Sequence, residues 1–164
     1  MAVTPRMLTA GEVAAVCGRL TGRRCSIRQV RYLLVTGGLG TESRRRAHGQ
    51  TRLFGIVDVA LMRLALRLQI EGVSPMVARV TLTYLRNDLV RTWKGGAATA
   101  LVVTGLHGAV QPVARTPPAR AAAYVPLREI WHGLDAEIHR VSGARATVWM
   151  WRHVAVDAVP RTTL

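Results

Sequence analysis

The side chains in this sequence best placed to do chemistry are cationic and amidic. Arg28, Gln29, Arg31 and Tyr32 follow Ser26 closely, while Ile27, Val30, Leu33 and Leu34 recur at the spacing of one helix face. A helix seated by those apolar residues turns the polar set outward. An arginine grips a guanine edge bidentately and a glutamine does the same for adenine, so this pattern suits base reading in a major groove. Arg23 and Arg24 precede the segment, and Arg44, Arg45, Arg46, Gln50 and Arg52 follow it. Those flanks suit phosphate oxygens, which add affinity without sequence information. The plainer alternative is a solvated basic surface helix.

Charge supports the polyanion reading. The 164 residues carry a formal net charge of +14. Sixteen Arg or Lys stand against five acids in residues 1–95, and seven against four in the remainder. A genomic preference for arginine codons explains the single lysine, Lys94, but not this asymmetry. Three consecutive arginines on an extended strand alternate in direction, so two of Arg44, Arg45 and Arg46 are expected on phosphates and one toward solvent or Glu42. His48 is expected at the tip of that loop without special chemistry.

Other groupings are weaker. Glu129, His132, Asp135 and His139 can share one helix face, in the way metal ligands do, although simple hydrogen bonding is the commoner role of such histidines. No metal and no cofactor is expected. Cys17 and Cys25 suit buried, reduced thiols better than a disulfide or a zinc site. No Ser-His-Asp order, phosphate-cradling glycine loop or HExxH pattern is present, so an enzyme is not expected. Trp131, Trp149 and Trp151 suit a core or dimer interface, or else the lining of an apolar ligand pocket. With no charged leader followed by an apolar run, and no uncharged apolar run of membrane-spanning length, the expectation is a cytoplasmic protein that avoids membranes.

The elements that must position these groups follow in order. Residues 1–7 read as a frayed leader. Thr9 and Glu12 form a capping-box pattern, Val13, Val16 and Cys17 share a face, and Gly18 is the expected end of the first helix. A basic turn over 19–25 leads to Ser26 as the next N-cap. Ile56 to Glu71 is apolar nearly all round and predicts a helix buried on several sides. Gly72 suits its C-terminus, and Ser74-Pro75 restarts a helix that runs to Trp93, short of Gly95-Gly96. Thr99–Thr104 and Val110–Ala114 predict a hairpin around a turn at 105–108. Pro126–Val141 predicts one helix, and Thr147–Val156 alternates as a strand does.

The N-terminal portion resembles the MerR-like winged helix-turn-helix family. Cys25-Ser26-Ile27-Arg28-Gln29-Val30-Arg31-Tyr32-Leu33 is similar to the family's recognition-helix segment, keeping the serine and the Arg-Tyr pair. Gln29 stands where the family has threonine, and Leu33 replaces a second tyrosine. Gly37-Gly38-Leu39 stands in place of its Gly-Leu, and Gly49-Gln50-Thr51-Arg52-Leu53-Phe54 is similar to the end of its wing, with Phe54 for tyrosine. The likeness continues through Asp58 to Gly72-Val73-Ser74 and covers about half of the chain. It implies a dimeric DNA-binding regulator that recognises an inverted repeat, pairs through the helix after the wing and acts by distorting promoter DNA. It also implies metal sensing through cysteines after the long helix, and this chain has none there.

The expected fold is mainly α with a small β component: a winged helix-turn-helix over 1–74, a dimerisation or linker helix over 75–95, and a small α+β unit for dimerisation or effector binding over 96–164. The expected DNA-binding residues are Arg23, Arg24, Ser26, Arg28, Gln29, Arg31, Tyr32, Arg44, Arg45, Arg46, Gln50 and Arg52. The expected partners are double-stranded DNA and a second copy of the chain, with any small-molecule effector or protein partner of the C-terminal unit left open. Two competing functions use the same residues: an excisionase-like or phage-type architectural factor that bends DNA, and an antitoxin or adaptor whose C-terminal unit binds protein.

Overall fold

The computed structural model describes residues 8–35, 45–46, 49–50, 53–93, 100–104, 109–113 and 123–143. The described residues are mostly helical, with short strands. Helix α1 (Ala10–Thr21) opens on the expected capping box: the Glu12 amide donates to Thr9 Oγ1 at 3.3 Å, and the Thr9 amide donates to Glu12 Oε2 at 2.8 Å. Two otherwise unpaired N–H groups are thereby satisfied. The helix does not end at Gly18. It runs on to Thr21 and stops at Gly22, whose φ of 65° is the left-handed conformation a helix C-terminus favours in glycine. Gly18 serves a different need, because a Cβ there would lie 3.1 Å from the Arg23 carbonyl oxygen of the returning turn.

Helix α2 (Ile27–Val30) starts on a second capping box, Ser26 with Gln29, and continues as a π-helical turn over Arg31–Val35. Val30, Leu33 and Leu34 are buried as the spacing predicts. Ile27 is not: it is 46% exposed, against expectation. At the first helical position it lies beside the start of α1, where a Cβ on Gly11 would meet its Cδ1 at 3.8 Å, outside the sealed core. Strands β1 (Arg45–Arg46) and β2 (Gly49–Gln50) pair antiparallel, with Arg45 opposite Gln50. Leu8 and Phe54 exchange backbone hydrogen bonds of 2.9 and 2.8 Å and are both buried, so the segment leading into α3 is joined to the residues before α1.

Helix α3 (Ile56–Ile70) is the spine. Its side chains are buried on nearly every side because α1, the π-helical turn, α4 and the 3-10 turn near the C-terminus all contact it. Each large aliphatic side chain so buried is worth about 1.5–3 kcal/mol. The helix ends at Gly72, φ 89°, and Ser74 caps helix α4 (Pro75–Trp93), its Oγ accepting from the Val77 amide at 3.3 Å. Ala78, Leu82, Leu85 and Leu89 turn α4 onto the core.

Strands β3 (Ala100–Thr104), β4 (Ala109–Val113) and β5 (Ala123–Pro126) form an antiparallel sheet in the order β4-β3-β5. The expected hairpin is β3 with β4, and Pro112 is tolerated because β4 is an edge strand. Strand β5 has no counterpart in the sequence reading. The single helix expected over 126–141 is divided: a 3-10 turn (Leu127–Trp131) precedes Gly133, whose φ of 69° breaks the helical path, and helix α5 (Leu134–Ser142) follows. The 3-10 turn packs on α3 and α4 and α5 packs on α1, placing Leu127, Ile130, Leu134 and Ile138 in the same core as the N-terminal helices. The strand expected over 147–156, with Trp149 and Trp151, lies outside the described residues, as do residues 1–7 and Gly37-Gly38-Leu39.

Candidate nucleic-acid interface

Helix α2 and the π-helical turn are held from below by Val30, Leu33 and Leu34 and from the front by their cap. The Gln29 amide donates to Ser26 Oγ at 3.2 Å, while Gln29 Oε1 accepts from the Ser26 amide at 2.9 Å and from its hydroxyl at 3.2 Å. Because a backbone N–H can only donate, the side-chain atom facing it is the carbonyl oxygen. Gln29 is therefore half-buried with its acceptor occupied, and a bidentate grip on adenine would require this cap to open. Ser26 also acts locally as the cap.

The outward face carries Arg28, Arg31 and Tyr32, all exposed, and the preceding turn adds Arg23 and Arg24, also exposed. No acid occurs between Glu12 and Glu42. Among the described residues, none of these arginines has a carboxylate partner. Several other arginines do have one. Arg19 and Arg140 approach Glu137, Arg67 pairs with Glu71 at 2.7 Å, Arg86 lies 3.5 Å from Asp58, and Arg91 lies 3.6 Å from Asp88. Among the described residues, Arg23, Arg24, Arg28 and Arg31 form a cluster of exposed arginines without a carboxylate on the α1–α2 turn and the outward face that follows it.

Of the remaining expected contacts, Arg45, Arg46 and Gln50 are placed by their backbone in the β1–β2 hairpin, while Arg44, Arg52 and His48 lie outside the described residues. The register sets Arg45 opposite Gln50 and Arg46 opposite Gly49. The sequence did not point to Arg79. Its guanidinium carbon lies 5.5 Å from the centroid of the Tyr32 ring, joining α4 to the exposed face, and its distance along the chain leaves no local signal.

One buried and one half-buried polar group lie behind this face. Asp58 is 1% exposed, and its Oδ2 accepts from the Gly55 amide at 2.9 Å. Burial raises its carboxyl above the usual range, against the pull of that N–H and of Arg86. Arg63 donates at 2.6 Å to the carbonyl oxygens of both Ile130 and His132, closing the end of the 3-10 turn against α3. Burial lowers its guanidinium below the usual arginine range.

The other groupings resolve into structure. Trp131 is buried and its indole N–H donates to the Leu89 carbonyl at 3.1 Å, anchoring the 3-10 turn on α4. Glu129 and His132 are separated from Asp135 and His139 by the break at Gly133, and among the described residues no group of three or more His, Cys, Asp or Glu could hold a metal. Burial pushes the Cys17 thiol far up and the Cys25 thiol up to about 11, leaving both protonated and poorly nucleophilic. Among the described residues no helix is long and apolar enough to cross a membrane. Compared with protein-family models and with curated proteins, the sequence matches none.

Proposed function

We propose that this chain is a sequence-specific, dimeric DNA-binding transcriptional regulator of the MerR-like type, in which α2 and the π-helical turn enter a major groove and the β1–β2 hairpin is the wing that lies along the phosphates. The observation that carries this reading is the cluster of exposed arginines without acidic partners, Arg23, Arg24, Arg28 and Arg31, set on a short capped helix whose opposite face is sealed into the core. Arg28 and Arg31 reach base edges. Arg23 and Arg24, with Arg44, Arg45, Arg46 and Arg52 of the wing, neutralise phosphates. Tyr32 and the free amide N–H groups of Gln29 complete the contact.

The dimer reading is supported by α4, which leaves Met76, Val80 and Tyr84 exposed at successive turns of one face. Pairing two copies about a two-fold axis sets two recognition segments on an inverted repeat.

Genome-wide footprinting of the wild-type chain, of Arg28→Ala and of the Arg44, Arg45, Arg46 triple alanine tests the division of labour. Arg28→Ala should relax preference at one base position by about 1–3 kcal/mol. The triple variant should weaken all sites alike. Equal loss of selectivity in both would overturn the assignment.

A further inference from the structure

Arg79 is half-buried in the first half of α4 and reaches the Tyr32 ring of the π-helical turn. Its guanidinium carbon stands 5.5 Å from the Tyr32 ring centroid, within the range of a cation–π contact. Among the described residues its side chain has neither a carboxylate partner nor a hydrogen-bond acceptor, unlike Arg86 and Arg91 on the same helix, which face Asp58 and Asp88. A guanidinium held over an aromatic ring by cation–π attraction spends none of its N–H donors on that contact. Those donors match two oxygens of a phosphate. The platform is itself part of the basic surface, since Tyr32 is 40% exposed and follows Arg31 directly. The wide π-helical turn is the local feature that presents it, and such turns occur preferentially where a helix has a task beyond packing.

We propose that Arg79 is a phosphate-binding residue of the DNA-facing surface, presented by its stacking on Tyr32, so that α4 supplies a backbone contact beside the bases that α2 reads. The inference rests on the DNA-binding reading and goes beyond it, because it assigns the contact to the helix that follows the wing. Arg79 carries no sequence information in this role: it adds one ion pair with the DNA and fixes the angle at which the π-helical turn meets the groove.

The test is equilibrium binding of the full chain to a labelled duplex across a salt series, with Arg79→Ala, Arg79→Gln, Arg79→Lys, Tyr32→Leu and the Arg79→Ala/Tyr32→Leu double variant. Helix content by far-UV circular dichroism selects whichever of Arg79→Ala and Arg79→Gln is fully folded. Loss of one phosphate contact should lower the slope of log affinity against log salt by about 0.9 and weaken binding by about three- to tenfold at moderate salt. Arg79→Lys should keep the slope, because its charge remains, while losing part of the affinity. In the Tyr32→Leu background, Arg79→Ala should cost less than it does alone, because the platform is already gone. A wild-type slope in the Arg79→Ala or Arg79→Gln variant, or additive losses in the double variant, overturns the role of Arg79 while leaving DNA binding intact. A wild-type chain that ignores duplex DNA at low salt overturns both readings.

Discussion

Replacing Arg63 with methionine tests whether the C-terminal 3-10 turn and α5 share one cooperative core with the N-terminal helices. The guanidinium makes two hydrogen bonds of 2.6 Å to the Ile130 and His132 carbonyl oxygens, spanning α3 and the end of the 3-10 turn. A hydrogen bond to a charged donor is worth roughly 1.5–3 kcal/mol net, and of the two carbonyls only that of Ile130 is part-buried, so only it adds a share of the roughly 1–3 kcal/mol cost of an unsatisfied acceptor. Methionine is similar in length and removes a cation that burial already disfavours, which offsets part of the loss. The expected net destabilisation is roughly 2–4 kcal/mol, which for a chain of this size lowers Tm by roughly 4–16 °C. Urea unfolding followed by far-UV circular dichroism and by tryptophan fluorescence measures it. The two probes should move together to a lower midpoint with an unchanged slope, as one cooperative core requires. A loss below about 0.5 kcal/mol, or separation of the two probes in the wild type, would refute the coupling.

Three further outcomes follow from the same geometry. Burial raises the folded Asp58 carboxyl above its ordinary 3.8, so the folded state holds this proton more tightly, and the group's contribution to stability is present at low pH and lost as pH rises through the raised value. Asp58→Asn retains an acceptor for the Gly55 amide, so its unfolding midpoint should decline less than that of the wild type as pH rises above about 4, whereas Asp58→Ala should lose about 1 kcal/mol of capping. Gly11→Ala, whose Cβ meets only ordinary contacts at 3.8 and 3.9 Å, should stabilise α1 by about 0.5–1 kcal/mol in thermal melts; Gly18→Ala, facing the Arg23 carbonyl at 3.1 Å, should lose that gain or destabilise. Val80→Glu with Tyr84→Glu on the exposed stripe of α4 should shift sedimentation toward monomer, weakening association by about tenfold or more while leaving helix content unchanged.

What the sequence made legible was local or periodic. The capping box at Thr9, the N-cap at Ser26, the all-round burial of α3, the Gly72-to-Pro75 junction and the β3–β4 hairpin all rest on signals a few residues long, and the structure contains each of them. What escaped depends on distance. Gly18 looks like a stop, yet its lack of a Cβ is used by the turn that comes back past it, while Gly22 carries the positive φ. The periodicity of 126–141 is continuous across Gly133 because the 3-10 turn and α5 face the same core, so only the backbone shows the break. Ile27 fits the helical pattern but stands at its edge. The site was legible as a set of arginines, but which of them remain without a carboxylate was not: Arg19 and Arg86 are answered by Glu137 and Asp58, at separations no local pattern displays. Gln29 was read as a base contact, and its capping bond appears only once Ser26 is seen in an extended conformation with its amide turned toward it.

The account stands or falls on whether the exposed face of α2 and the π-helical turn grips duplex DNA. The direct measurement is equilibrium binding of the purified chain to genomic duplex fragments at low salt, beside an Arg28→Ala/Arg31→Ala variant shown by circular dichroism to be folded. The account predicts tight, salt-sensitive binding by the wild type and a loss of about 2–6 kcal/mol of sequence-specific affinity in the variant, the sum of two base contacts. Wild-type binding that the variant matches, or no binding by either, would contradict it.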